Sequence, residues 1–153
     1  MSEVVESVTL DGGALVGHDG SAAAGEAVQW AADLAARLDE PLHVLRAWGM
    51  TNAPTPKTKQ GGYIPPLADY EAAVRDELTA DIDKLALTRD VQLHVVHGRA
   101  ARELLVAAEG ADILVVGRRG AGGFRGLGFG STADQVVRHA PCPVVTIPVH
   151  PDR

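Results

Sequence analysis

Cysteine is nearly missing from this chain. Cys142 is the only one, which excludes an intrachain disulfide or a cysteine-rich metal site. Its setting, Ala-Pro-Cys-Pro-Val, reads as the entry to a strand, so a small buried hydrophobe is expected there. Long apolar runs are missing too. None approaches the ~18 residues of a membrane span, and the opening MSEVVESVTLDGG lacks the basic and apolar regions of a secretory signal. A cytoplasmic protein without a membrane role is the expectation. Positive charge is scarce: the formal net charge of −6 argues against a general nucleic-acid or membrane-surface binder. The histidines lack ligand spacing. His94 and His97 lie an odd number apart on an expected strand and face opposite sides, and His43, His139 and His150 form no local set, so no permanent metal site is expected.

What is present alternates. Residues 14–17 read as a short strand, followed by a helix to about Leu38 with Val28, Ala31, Ala35 and Leu38 on one face and Ser21 or Asp19 as its N-cap. Residues 42–47 give a second strand. A second helix spans about 67–87, with Tyr70, Val74, Leu78, Ile82 and Leu85 inward. A strand over 91–96, a helix over 100–108 and a strand over 113–116 follow. A helix with Ala133, Val136, Val137 and Ala140 at helical spacing and a strand over 144–147 close the chain. This β-α-β-α-β-α-β-α-β order with short, apolar strands predicts one α/β domain: a doubly wound, five-stranded parallel sheet with helices on both faces. Residues 1–12 are expected to be loose. Residues 49–66, carrying Pro54, Pro56, Pro65 and Pro66, are expected to form a flexible irregular loop. Trp30 and Trp48 read as packing residues.

The feature richest in chemistry is residues 117–130, GRRGAGGFRGLGFG, half of them glycine. It runs from a strand into the helix start at Ser131-Thr132. Glycine permits φ > 0 and close approach to the main chain, and a helix N-terminus offers unpaired N–H donors and a positive dipole end. Together they favour an anion, most often phosphate. Arg118, Arg119 and Arg125 make this loop locally basic in an acidic protein, which points to a small anionic ligand. A P-loop needs a Gly-Lys pair, and none exists. A dinucleotide fingerprint should be the tight first turn after a strand, with an acid about 20 residues on. The match at residues 128–133 lies too far past Gly117 to be one.

The third pattern, G-x-x-G, nine residues, then G-[ST], is met by Gly117, Gly120, Gly130 and Ser131. It resembles the ATP-binding signature of the universal stress protein family. Val16-Gly17-His18-Asp19-Gly20-Ser21 resembles that family's V-G-x-D-G-S, and Val28-Gln29-Trp30-Ala31-Ala32 its first helix. Leu45-Arg46-Ala47-Trp48 resembles its second-strand ending, with Arg46 in place of a histidine. Arg138-His139-Ala140-Pro141-Cys142-Pro143-Val144 is similar to its H-A-P-C-P-V close. The resemblance implies strand order 3-2-1-4-5 and an ATP site at the switch point. Carried over by position, Gly17 and Asp19 form the first wall, with the Asp19 carboxylate accepting from the ribose hydroxyls. The main chain at Ala47 meets the adenine edge, which Trp48 is the better-placed tryptophan to border.

Backbone N–H groups of Gly117, Arg118, Arg119, Gly120, Ala121, Gly122 and Gly123 line ribose and phosphates, and Gly130, Ser131 and Thr132 hold the phosphates. His18, at the variable position, could touch the ligand, but reads as a plain strand-end residue. Any Mg²⁺ arrives with the phosphates. AMP or a cyclic nucleotide stays open as the ligand. The resemblance further implies a homodimer through the C-terminal edge strand. The expected function is a nucleotide-binding stress-response regulator; a slow ATP hydrolase or phosphotransferase, or a nucleotide-free homodimeric scaffold, are the alternatives.

Overall fold

The computed structural model describes residues 4–118 and 129–148. Five parallel strands, β1 (Ala14–Gly17), β2 (Leu42–Trp48), β3 (Gln92–His97), β4 (Ile113–Gly117) and β5 (Val144–Ile147), alternate with four helices, α1 (Ala22–Leu38), α2 (Leu67–Asp83), α3 (Ala100–Ala108) and α4 (Ser131–His139). The strands lie in the order β3-β2-β1-β4-β5, each pair parallel and in continuous register, such as Val16 beside Val44 and Val115. This is the doubly wound order that the resemblance implies.

Side-chain alternation along each strand divides the interior in two. Val16, Val44, Trp48 and Val115 face α1 and α2, and pack with Ala27, Val28, Val74 and Leu78. Leu15, Leu45, Leu114 and Val116 face α3 and α4, and pack with Leu104, Ala107, Ala133 and Val136. Each fully buried Leu or Val contributes about 1.5–3 kcal/mol, and both layers must form together because they share the strands. On α1 the inward positions Ala27, Ala31 and Ala35 are fully buried. Small side chains there let the helix axis sit close to the sheet.

Four expectations meet differences. Trp30 is 41% exposed; at 3.6 residues per turn it points roughly 130° away from the centre of the buried α1 stripe. Leu38 (54%) and Val137 (45%) are exposed as well. Leu38 is the last residue before the chain reverses at Asp39, whose φ is 53°. On α4 only Ala133 and Val136 are buried, against the second core layer. Helix α2 stops at Asp83 rather than near 87, because Ala86 takes a left-handed φ of 50°, which a helix cannot contain.

The N-terminal segment has no regular structure over residues 4–13 until β1, yet it is anchored rather than loose. The Val5 carbonyl accepts from the His97 amide at 2.8 Å. The Val5 amide donates to both Glu71 carboxylate oxygens, at 3.2 and 3.3 Å. Val8 and Leu10 are buried in the second core layer, and Gly12 N–H bonds the Gly110 carbonyl at 2.6 Å. Gly110 allows the crossing, since a Cβ there would overlap the Leu10 carbonyl.

Candidate functional site

At the carboxyl ends of β1 and β4 the chain turns opposite ways, β1 toward β2 and β4 toward β5. The crevice left between them is where ligands bind in open parallel sheets. A cavity of about 420 Å³ occupies it, within the range of small-molecule sites. One wall is the turn after β1, with Gly17, Asp19 and Ser21; the other is Gly117 with Gly130, Ser131 and Thr132 at the start of α4. Ala47, at the end of β2, joins them. The structure thus assembles seven of the expected residues around one space, from segments far apart in sequence.

The first wall is built locally. Gly17 is packed tightly: a Cβ would lie 3.0 Å from Leu104 Cδ1, so glycine keeps the cavity floor open. The turn continues through Gly20 at φ 88°, a conformation glycine takes without strain. Ser21 is the α1 N-cap, its hydroxyl accepting from the Ala24 amide at 3.2 Å. The Asp19 carboxylate accepts from the Ser21 amide at 3.0 Å and from the Ser21 hydroxyl, which fixes its direction at the cavity mouth.

The second wall closes at its base. Arg118 N–H donates to the Ile147 carbonyl at 2.8 Å, and the Arg118 carbonyl accepts from Gly130 N–H at 2.7 Å. Arg118 therefore joins the two ends of the glycine loop through its backbone, and it does not line the cavity. Its amide, expected among the donors lining the ribose and phosphates, is taken up by the Ile147 carbonyl. Arg119, Gly120, Ala121, Gly122, Gly123 and Arg125 lie outside the described residues. Helix α4 starts at Ser131 after Gly130 as N-cap, so its first-turn amides have no carbonyl partner within the helix. A shallower groove continues past Ser131 and Thr132 toward Arg99 and Arg102.

Trp48 does not border the cavity. Ala47 points into it, so the next residue on the strand faces the opposite layer. Trp48 is fully buried there, its Nε1 donating to Glu71 at 3.2 Å and its ring 4.5 Å from that of His97. The cavity is also lined by residues outside the expected set, among them Asn52, whose Oδ1 accepts from Gly49 N–H at 2.8 Å, Leu104 of α3, and His18.

His18 is buried, with 6% exposure. Burial holds its pKa below the ordinary 6.5, because desolvation disfavours the imidazolium. Asp81, Asp19 and Glu77 oppose that shift and Arg46 adds to it. Arg46 is itself buried, its Nη1 2.8 Å from Glu77 Oε1 of α2, and its guanidinium lies directly under Gly20. Away from the cavity, His43 Nδ1 and His94 Nε2 are 3.0 Å apart across β2 and β3. Burial lowers both of their pKa values, and it raises that of Cys142, which is half-buried. Among the described residues, no group of three or more His, Cys, Asp or Glu could hold a metal ion. None of the helices among them is long and apolar enough to cross a membrane.

The family model described as "Universal stress protein family" matches residues 14–148. The chain belongs to the universal stress protein family. It is 33% identical over 136 residues to Universal stress protein Rv2028c of Mycobacterium tuberculosis strain H37Rv, covering 89% of this chain and 48% of that relative. The chain spans about half the length of the curated relatives it matches. Among solved structures, it is similar to a universal stress protein in complex with cAMP. That match has a TM-score of 0.61 and 25% identity and covers 92% of this chain and 98% of the other. A universal stress protein from Archaeoglobus fulgidus in complex with dAMP shares the fold at TM-score 0.63, with 20% identity and coverage of 91% and 99%.

Proposed function

We propose that this universal stress protein binds an adenine nucleotide, with ATP as the leading ligand, in the cavity between β1 and β4. Ligand uptake then changes its conformation or its affinity for a partner. The observation that carries this reading is the convergence of Asp19, Ala47 and the Gly130-Ser131-Thr132 helix start on one cavity of about 420 Å³. A carboxylate suits ribose hydroxyls, a strand-end main chain suits a base edge, and a helix N-terminus after glycine suits phosphate. The solved family member in complex with cAMP supports an adenine ligand.

In this reading Asp19 takes the ribose, the main chain at Ala47 the adenine, and Ser131 and Thr132 the phosphates, with Gly17 and Gly117 leaving room between them. Arg119, Gly120, Ala121, Gly122 and Gly123 complete the phosphate loop, and any Mg²⁺ enters with the phosphates. The edge strand β5 is the proposed homodimer contact, since an edge offers unpaired backbone groups.

Calorimetric titration with ATP, AMP and cAMP tests the site. Asp19→Ala removes charge-assisted hydrogen bonds of about 1.5–3 kcal/mol each, so affinity should fall at least about tenfold. No heat at millimolar ATP leaves a nucleotide-free scaffold. Multiple-turnover hydrolysis abolished by Asp19→Ala would instead establish a phosphoryl-transfer enzyme.

A further inference from the structure

His18 occupies an unusual place: it lines the nucleotide cavity, yet its ring is buried and faces inward beside Arg46. Its Nδ1 accepts the Gly20 amide proton at 3.0 Å, while its own amide continues the sheet by donating to the Leu45 carbonyl at 2.9 Å. An imidazole nitrogen accepts only when it carries no proton, so this bond requires the neutral ring with its proton on Nε2. Asp19 sits between the two bonded residues. The bond therefore closes the turn whose middle residue is the proposed ribose ligand.

We propose that His18 is a positioning residue of the nucleotide site: its unprotonated Nδ1 anchors Gly20 and so presents Asp19, and protonating the ring releases the turn and weakens nucleotide binding in acid. This inference rests on the adenine-nucleotide reading of the cavity. A proton on Nδ1 confronts the Gly20 N–H directly, and the turn has lost its acceptor. The charged groups facing the ring are Arg46 from β2, Glu77 and Asp81 from α2, and Asp19 from its own turn. Arg46 opposes the added charge, whereas Asp81, Asp19 and Glu77 favour it. Gly20 cannot compensate with a side chain, because a Cβ would lie 3.2 Å from Arg46 Nη1 and φ there is 88°. Burial lowers the ring's pKa from the ordinary 6.5, which favours the neutral acceptor form at neutral pH; the bond is released as the medium acidifies.

The test is ATP affinity by calorimetry from pH 7.5 to pH 5 for the wild type, His18→Asn and His18→Ala, each referred to its own value at pH 7.5. Asparagine places an Oδ1 acceptor near the Nδ1 position and does not titrate in this range. The protonation of ATP itself is common to all three proteins. The wild type should lose affinity relative to His18→Asn, approaching about tenfold per pH unit below the ring's midpoint. At pH 7.5 His18→Ala should bind about tenfold more weakly than His18→Asn, as expected for one lost hydrogen bond of about 1–1.5 kcal/mol. Parallel pH profiles for wild type and His18→Asn would overturn the role of His18 while leaving the nucleotide reading intact. Absence of ATP binding by the wild type at pH 7.5 would overturn that reading and this inference with it. The unaltered protein gives a second measurement by NMR: the Gly20 amide should titrate with the His18 ring midpoint, and a Gly20 signal that ignores that midpoint refutes the proposal.

Discussion

Replacing Glu71 by alanine should be among the most destabilising single changes outside the cavity. Glu71 is 9% exposed, and its carboxylate accepts the Trp48 indole N–H at 3.2 Å and the Val5 amide through both oxygens at 3.2 and 3.3 Å. Hydrogen bonds to a charged acceptor contribute about 1.5–3 kcal/mol each. The two donors differ in what happens after truncation. Val5 is exposed enough to find water, so its amide loses little beyond the bond itself. Trp48 is fully buried, and an orphaned indole N–H costs about 1–3 kcal/mol. The sum is about 2.5–6 kcal/mol, a large part of the 5–15 kcal/mol that holds a typical domain.

Glu71→Gln keeps an acceptor oxygen for Trp48 and should cost only about 1 kcal/mol. Urea unfolding followed by circular dichroism measures both variants. For a chain of this size the alanine change should lower Tm by about 10 °C. Hydrogen exchange should also report loss of protection at the His97 amide, which bonds the Val5 carbonyl. A loss below about 1 kcal/mol for Glu71→Ala, with His97 protection unchanged, would refute the view that this carboxylate ties the N-terminal segment to the fold.

Other outcomes follow from distances and burial already described. Gly110→Ala must displace the Leu10 backbone and should cost at least about 2 kcal/mol; Gly17→Ala meets side chains rather than backbone, the buried Leu104 at 3.0 Å first, and should cost less, about 1 kcal/mol, in the same urea assay. His18, His43 and His94 all have folded pKa values below the ordinary 6.5, so the unfolded chain binds more protons. Their contribution to stability is complete above pH 6.5 and is lost as pH falls through the lowered values; urea midpoints should drop across that window, and His94→Gln should flatten the drop. Trp30 is 41% exposed and Trp48 fully buried, so acrylamide should quench the fluorescence of Trp48→Phe strongly and that of Trp30→Phe weakly. Equal quenching would contradict the placement of both rings.

The pattern of short apolar strands and striped helices made the sheet legible, because alternation and helical period are local properties of the chain. Strand parity carried more than was drawn from it. With Ala47 directed at the cavity, the neighbouring Trp48 had to face the other layer, and this follows from the sequence alone. Other features depend on partners distant in sequence. Glu71 meets Val5 across 66 positions, and Arg46 meets Glu77 across 31, so neither the anchored N-terminal segment nor a buried arginine under Gly20 has a local signature. The end of α2 was hidden for a different reason. Ala86 takes a left-handed conformation that alanine rarely adopts, and no glycine or asparagine marks the stop.

The cavity at the switch point has walls from opposite halves of the chain, held beside each other by the pairing of β1 with β4 and by the bond between Gly13 and Asp112, 99 positions apart. No fragment containing only one wall possesses the site, so an unfolded or half-folded chain has no affinity to offer. A ligand taken up there is linked to the complete topology and adds RT ln(1 + [L]/Kd) to its stability, about 2.7 kcal/mol at a hundredfold excess over Kd. Occupancy and lifetime of the fold then rise and fall together. Under the proposed nucleotide reading, that linkage would let the concentration of the ligand set how much intact protein persists, independently of any change of shape.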